Sequence, residues 1–185
     1  KQLPTIENGG TTNNDVEVKE GDKVVDVNGD VVELAAGVKV KNAAGEEVEF
    51  TGGTVMMKQL VSRFDIIDGL TWEDGTPVSA ADLELGQKIS CDPESGATSF
   101  ITCDKTASAT FDGVGYTQTW LPGVQDPLYF LPVWPIYPAH QLGDVPAKDW
   151  ATNPLVAETP LSYGPYKIVG WEKGVKMEFA ANEFW

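Results

Sequence analysis

Closely spaced turn signals are the feature that most limits what the first third of this chain can fold into. Asn and Gly both tolerate positive φ, so Asn28-Gly29-Asp30 predicts a hairpin turn. Similar punctuation occurs at Asn8-Gly9 and Ala44-Gly45. The intervening valine-rich runs are too short for helices and have the length of strands: residues 24–27, 31–34, 38–40 and 48–50. Residues 1–53 therefore predict a β meander.

The rest of the chain predicts further strands and a few short helices. Residues 54–67 suit either a strand or a short helix, and we favour a strand in their second half. Ser79, with Asp82 three residues later, predicts the start of a helix over residues 80–89. Proline in residues 121–138 excludes a long helix there, and residues 147–157 predict a short helical piece. Further strands are predicted at residues 100–102, 107–111, 116–120, 166–171 and 175–179. The expected class is α+β, with a β-rich mixed sheet.

The charge of the chain argues against several kinds of partner. Lys and Arg number 13 against 28 Asp and Glu, which gives a formal net charge of -15. Such a surface repels phosphate backbones, so nucleic acid is not expected as a partner. The acidic residues are spread along the chain, as expected for a solvated surface. We expect an acidic chain of this kind to be a monomer. Residues 1–10 lack the apolar core of a signal peptide, which is compatible with a cytosolic protein or with a processed or trimmed chain.

The two cysteines allow two interpretations. Cys91 and Cys103 are separated by a loop rich in Asp, Pro, Ser and Gly that can bring them together. A disulfide would indicate an oxidising compartment, and two buried free thiols would indicate the cytosol. We favour the disulfide. A structural zinc site is not expected, because the chain has no CxxC motif and one histidine.

Motifs of catalysis and of cofactor binding are missing. His140 is the one histidine available as a base, and it follows Pro138 in a sequence without a GxSxG motif. Glu73 and Asp74 could serve as acid and base only if they faced each other, which adjacent turn residues do not. The Asp26-Asn28-Asp30 spacing is only part of a calcium loop. We expect no enzyme, no metal and no cofactor, and keep a carboxylate-based hydrolase as a remote alternative.

Aromatic residues are the remaining candidates for binding. The chain contains six Trp and five Tyr, several of them beside Pro or Gly. Aromatic side chains in loops can form a platform for a ligand, although they more often belong to a core.

Three stretches, taken in order, resemble the family 5 solute-binding proteins of ABC transporters, which include oligopeptide, dipeptide and nickel binders. The first is DGLTWEDGTPVSAADL at residues 68–83, and the second is WPIYPAH at residues 134–140. The third, GPYKIVGWEKGVKMEFAANEFW at residues 164–185, is similar to the closing block of the family's N-terminal region. The resemblance covers residues 54–185. Departures from the family pattern are Leu161-Ser162-Tyr163 before Gly164, and Glu183-Phe184 before Trp185.

The resemblance implies a particular domain organisation. Family members are much longer than this chain, so residues 1–185 are expected to be a single-domain fragment of a type II, cluster C-like periplasmic-binding-protein architecture. Residues 54–160 would be the small subdomain of the N-terminal lobe. Residues 161–185, called the return segment below, would be strands that return to the main lobe.

The resemblance also implies a function. The parent protein would capture a peptide or other small polar solute outside the membrane and deliver it to an ABC permease. It would be periplasmic or lipid-anchored at the cell surface, which agrees with a Cys91–Cys103 disulfide. Tyr163, Tyr166 and Trp185 are the expected solute-binding residues. The alternative is a free-standing secreted β-rich interaction or adhesion module. The acids before the predicted helix are interpreted as turn and capping residues.

Overall fold

The computed structural model describes residues 3–185, so Lys1 and Gln2, at the start of the segment without a signal-peptide pattern, lie outside it. Numbered in chain order, the strands of the central sheet are β1 (Thr11–Lys19), β6 (Thr54–Asp65), β7 (Thr106–Asp112) and β8 (Gly115–Trp120). They lie in the order β1-β6-β8-β7. The β-rich α+β class is confirmed. Every strand pair among residues 3–185 is antiparallel, where the sequence suggested a mixed sheet.

Two small hairpins are inserted between β1 and β6. They are β2 (Lys23–Val25) with β3 (Val31–Glu33), and β4 (Lys39–Lys41) with β5 (Glu47–Glu49). Gly29 has a φ of 90°, which confirms the predicted turn between β2 and β3. The hairpins and the two long strands beside them share one apolar cluster: Val24 and Val40 of the short strands, Leu34 and Phe50 just after them, Val18 of β1 and Met57 of β6.

Strand β1 is absent from the sequence prediction. Its segment, TTNNDVEVK, contains Asn13, Asn14 and Asp15, residue types that disfavour strands. It is nevertheless a strand because it pairs with β6 along its whole length and buries Val18 in the core. The same pairing explains the conformation of β6. Its sequence suited either a strand or a helix, and it is a strand over its whole length.

Helix α1 (Ala80–Ser90) begins where the sequence predicted, at a cap formed by Asp82. The Asp82 carboxylate accepts hydrogen bonds from the main-chain N–H of Ser79 and of Ala139, each at 2.7 Å. It is 3% exposed and therefore holds α1 and α3 (Ala139–Leu142) together from inside. Farther along α1, a Cβ on Gly86 would overlap the carbonyl oxygen of Pro135, so glycine permits the close approach of the Pro135 main chain.

The strand predicted at residues 100–102 is wrong. Residues Ile101–Asp104 form a helical turn, α2, and the hydroxyl of Thr106, at the start of β7, donates to the Thr102 carbonyl within it. The turn brings Cys103 to Cys91 at the end of α1, where the two form a disulfide with their Cα atoms 5.6 Å apart. A stretch of three residues is too short for its pattern of apolar and polar residues to distinguish a strand from a helical turn.

Short helical turns and one hairpin complete the chain. The 3₁₀ turns are Pro93–Ser95 and Ala147–Thr152, and α4 is Pro154–Ala157. Strands β9 (Tyr166–Glu172) and β10 (Lys176–Ala181) form a two-stranded sheet. Two more clusters attach α1 to its surroundings: Phe64, Leu83, Tyr116 and Trp134 against the sheet, and Leu85, Ile89, Leu142 and Trp150 against the helical turns. Among residues 3–185, no helix has the length and apolar character needed to cross a bilayer.

Candidate functional site

The exposed tryptophans of this chain lie in the return segment. Trp72, Trp120, Trp134 and Trp150 are all at least 95% buried and belong to the core. Trp171 and Trp185, by contrast, are 41% and 68% exposed. The core accounts for the first four, so the return segment is where a binding platform is to be sought.

A β-bulge collects the apolar side chains of this hairpin on one face. Trp171 pairs with Met177 and Ile168 pairs with Phe179, with the register shifting between Glu178 and Phe179. Cross-strand partners share a face, and Met177 and Phe179 are two residues apart, so all four side chains lie on the same side. Without the shift, simple alternation would put Trp171 on the side opposite Ile168. Tyr166 precedes Ile168 by two residues and joins the same side, and we call Tyr166, Ile168, Trp171, Met177 and Phe179 the aromatic face.

The opposite side of the hairpin is polar. Lys176 and Glu178 form an ion pair at 2.9 Å, and Lys167 pairs with Glu183 at 3.2 Å. The hairpin is therefore amphipathic, yet Tyr166 and Phe179 on its apolar side remain 64% and 58% exposed. Large apolar residues exposed together on a strand pair are typical of a surface that binds something.

A cleft of about 400 Å³ opens along the aromatic face. Its walls are residues 160–164 on one side and Tyr166, Ile168 and Phe179 on the other. Two of the three predicted site residues, Tyr163 and Tyr166, thus share one cleft. Trp185 is not among the described residues that line it.

Asn182 fixes the end of the return segment. It is 5% exposed, and its side-chain amide donates to the Gly164 carbonyl at 2.8 Å while its side-chain oxygen accepts from Phe184 N–H at 3.0 Å. These bonds place Phe184 against Gly75, where an added Cβ would lie 3.1 Å from the Phe184 ring. Trp185 follows at the surface.

Residues 71–77, the Trp72 loop, carry the acids Glu73 and Asp74, in a stretch whose acids the sequence analysis interpreted as turn and capping residues. Asp74 accepts a hydrogen bond from Thr76 N–H at 2.9 Å and pairs with His140 Nε2 at 2.8 Å. Partial burial favours the neutral carboxyl, but the bonds from Thr76 and His140 outweigh it and lower the pKa of Asp74. A lowered pKa does not suit a general acid at neutral pH.

Glu73 is engaged as well. Its carboxylate accepts a hydrogen bond from Ser162 N–H at 2.9 Å, and its own N–H donates to the Ser162 carbonyl at 2.8 Å. Glu73 and Asp74 therefore face different partners, as expected of neighbouring turn residues. Nothing in this arrangement favours the acid–base hydrolase.

The calcium-like spacing in the β2–β3 turn has a local explanation. Asp26 accepts from the N–H groups of Asn28 and Asp30, at 2.8 and 2.9 Å, and from the Asn28 side chain at 3.1 Å. The bond from Asp30 contributes most to the lowered pKa of Asp26. Within residues 3–185, no group of three or more His, Cys, Asp or Glu side chains is placed to hold a metal ion.

A larger cleft, of about 790 Å³, separates the β2–β3 hairpin from α2. Its walls carry Lys23, Asp30, Asp104 and Lys105, so charges of both signs line it, and none of the described residues that line it is aromatic. The aromatic cleft is the better candidate site because it combines apolar area with the main chain of residues 160–164.

Comparison with known families decides the classification. A family model described as bacterial extracellular solute-binding proteins, family 5 Middle, matches residues 51–185, which include both the Trp72 loop and the return segment. The chain belongs to this family.

Known relatives of this family 5 chain are longer than it is. Protein XP55 of Streptomyces lividans is 30% identical over 124 residues, which cover 66% of this chain and 22% of the relative. The oligopeptide-binding protein AppA of Bacillus subtilis, solved with a nonapeptide, has a TM-score of 0.56 at 20% identity, over 90% of this chain and 31% of AppA. NikZ of Campylobacter jejuni, solved with Ni(L-His), has a TM-score of 0.56 at 21% identity, over 90% of this chain and 30% of NikZ.

A third solved protein matches almost the whole chain. The oligopeptide-binding protein of Thermus thermophilus, solved with a pentapeptide, has a TM-score of 0.57 at 13% identity and covers 99% of this chain and 29% of that protein. At these identities the structures establish the fold of the family 5 chain. The chain spans less than a third of each of these solved proteins.

Sequence reasoning missed part of the site in this family 5 chain. Ile168, Trp171, Met177 and Phe179 were recognised as strand residues but not as one face, because simple alternation puts Ile168 and Trp171 on opposite sides. The bulge that unites them leaves no clear mark in the sequence. The sequence did not mark Pro160 and Leu161 as site residues either, because they line the cleft only by lying beside the hairpin.

Proposed function

We propose that this chain is part of the substrate-binding component of an ABC importer, which captures a peptide or other small polar solute outside the membrane. The single observation that carries the proposal is the exposed aromatic face with its open cleft, in a chain of the family 5 solute-binding proteins. Tyr and Trp supply a large contact area and a polar tip, which suits the mixed surface of a peptide.

Tyr163, Tyr166 and Trp185 are the residues proposed to contact the solute. Tyr163 and Tyr166 line the cleft, and Trp185 lies 68% exposed at the end of the same segment. Main-chain groups of residues 160–164 other than those of Ser162 and Gly164, which are bound within the chain, would bind the backbone of a peptide. Solute binding would favour a closed arrangement of the complete protein by differential affinity, with no chemical step.

The domain organisation of the complete protein is part of the proposal. An isolated two-stranded sheet is marginally stable, and one with an exposed aromatic face needs a covering surface. We expect the return segment to belong to the main lobe, with residues 54–160 as a small subdomain and residues 1–53 as its β extension. The 22% coverage of the curated relative is consistent with a main lobe outside this chain.

The proposed location is outside the cytoplasm, in the periplasm or at the cell surface through a lipid anchor. The Cys91–Cys103 disulfide supports an oxidising compartment. Delivery of the solute would require membrane permease subunits as partners, and the acidic surface fits neither nucleic acid nor an anionic membrane. We expect the protein to act as a monomer.

A binding screen on the complete protein tests the function. Thermal shift against a panel of tri- to nonapeptides should identify binders, and titration calorimetry should give their affinities. Tyr163→Ala, Tyr166→Ala and Trp185→Ala should each weaken the tightest peptide about tenfold through lost aromatic contact. Leu128→Ala, at a 53% exposed residue outside the cleft, is the matched control.

Two outcomes would count against the proposal. Full affinity in all three aromatic variants would remove the return segment from the binding site. A gene that encodes no second lobe, together with a protein that binds no peptide and adheres to another protein through the aromatic face, would favour the interaction module instead.

A further inference from the structure

Glu73 binds the return segment through its main-chain N–H and its side-chain carboxylate. Its N–H and its carboxylate meet the carbonyl and the N–H of the same residue, Ser162, at 2.8 and 2.9 Å. Two hydrogen bonds between one pair of residues close a ring, which fixes orientation as well as distance. One of the bonds has an ionised acceptor and is therefore of the stronger kind.

The next residue along the chain is a proposed solute contact. Tyr163 packs edge-on against Trp72, with ring centroids 5.3 Å apart and planes at 82°. Trp72 is 1% exposed, so this contact ties Tyr163 to the core. Glu73 and Trp72 are neighbours, as are Ser162 and Tyr163, so the hydrogen-bonded ring and the aromatic contact act on the same short stretch.

The Trp72 loop also holds the far end of the return segment. The Thr71 hydroxyl donates to the Phe184 carbonyl at 2.8 Å, one residue before Trp185. One loop thus contacts both ends of the segment that carries the proposed site residues. The Asp74 carboxylate is bound by Thr76 and His140. Of the two acids in this loop, Glu73 is therefore the one whose carboxylate contacts the return segment.

We propose that Glu73 is a positioning residue for solute binding. Its carboxylate holds Ser162 and thereby sets Tyr163 at the mouth of the aromatic cleft, without touching the solute itself. This inference rests on the proposed function, because it takes the cleft as the solute site. It assigns a role in binding to the Trp72 loop, whose acids otherwise serve turns and caps.

Three variants separate geometry from charge. Glu73→Ala removes the acceptor for Ser162 N–H. Glu73→Gln keeps an oxygen at the same reach and loses the charge, while Glu73→Asp keeps the charge and falls one methylene short. The matched control is Glu84→Ala, at an exposed glutamate of α1.

Hydrogen exchange of the complete protein without solute reads the contact between Glu73 and Ser162 directly. Residues 160–166 should exchange about tenfold faster in Glu73→Ala and Glu73→Asp, because in both variants no side-chain oxygen reaches Ser162 N–H to protect it. Glu73→Gln and Glu84→Ala should exchange like wild type, and the central sheet should not change in any variant. Unchanged exchange of residues 160–166 in both Ala and Asp variants overturns the inference; the Asp variant decides it alone if Glu73→Ala does not fold.

Affinity for the tightest peptide of the screening panel gives the second readout. It should fall about tenfold in Glu73→Ala and Glu73→Asp and stay within about threefold in Glu73→Gln. Faster exchange with full affinity would leave Glu73 a structural role only and overturn the positioning role. If no peptide binds even the wild type, the proposed function fails, and the exchange result still decides whether Glu73 holds Ser162.

Discussion

At the scale of single residues, Asp82 shows how one buried carboxylate organises two helices. Its oxygens satisfy N–H groups at the starts of α1 and α3, and its carbonyl accepts from Tyr137 N–H at 3.2 Å. The sequence motif revealed only the first of these roles. The second depends on α3 arriving next to α1 from 57 residues away.

Removing Asp82 should destabilise the fold substantially. Asp82→Ala leaves two partly buried N–H groups, those of Ser79 and Ala139, without an acceptor, so we expect a loss of about 3 kcal/mol in the free energy of unfolding. Asp82→Asn keeps one acceptor oxygen and should lose less. Urea denaturation followed by circular dichroism measures both, and the exposed Glu84→Ala should stay within about 0.5 kcal/mol of wild type. Equal stability of all three variants would contradict the capping role.

Asp74 should make the stability of the chain depend on acidic pH. Its pKa is lower in the folded state, so its stabilising contribution is complete above the unfolded-state pKa of about 4 and is lost as pH falls through the lower folded-state value. Asp74 is 38% exposed at its side chain, which limits the effect to below about 1 kcal/mol.

The variant Asp74→Asn tests this dependence. It should be less stable than wild type at about pH 6, and the difference should shrink as the pH approaches about 3. Urea denaturation at several pH values measures the difference, with Asp144→Asn at an exposed position as the control. A difference that grows towards low pH would show that the sign is wrong.

At the scale of elements, the disulfide attaches α2 to the end of α1. The two cysteines are 12 residues apart, and a loop of this size corresponds to about 3 kcal/mol of stabilisation in the chain-entropy account. The Cys91→Ala, Cys103→Ala double variant, or reduction of the wild type, should lower the free energy of unfolding by about that amount.

Mass spectrometry checks the disulfide itself. The unreduced protein should be lighter than the reduced protein by two hydrogen atoms. Alkylation of both thiols without reductant would contradict the bond and would restore the alternative of free thiols. The Lys88→Ala variant, near the end of the same helix and exposed, should leave both mass difference and stability unchanged.

The strands show where local pattern succeeds and where it fails. The hairpin turn at Gly29 follows from Asn-Gly chemistry, and β8 follows from alternation of its residues. Strand β1 escaped prediction because its residue types disfavour strands and its partner β6 begins 35 residues after β1 ends. Pairing across such a distance is decided by tertiary contacts, which no local pattern contains.

At the scale of the whole molecule, the distribution of exposed apolar area separates the body of the chain from its return segment. Residues 3–160, the body of the chain, bury all four of their tryptophans, whereas the return segment exposes most of the aromatic face. A surface of this kind should associate with itself or with hydrophobic dyes when the chain is studied alone.

The double variant Tyr166→Ser, Phe179→Ser tests this surface. On the isolated chain it should about halve the fluorescence of a bound hydrophobic dye and reduce self-association in sedimentation, since it removes the two most exposed rings of the face. Val114→Ser, at a 41% exposed residue of the β7–β8 turn, is the control. The complete protein should bind less dye than the chain alone, and equal binding would contradict a covering lobe.

The sequence by itself determined what depends on local chemistry. It specified the turns, the start of α1, the absence of nucleotide and nucleophile motifs, and the stretches by which the family is recognised, because each is written in a few adjacent residues. Tertiary structure decided the rest. It turned residues 101–104 into a helix beside Cys91, shifted the register between β9 and β10 so that Trp171 joined Ile168, and directed Glu73 to Ser162, 89 residues away. These outcomes depend on which distant groups meet, and that is set by packing of the whole chain rather than by any single stretch.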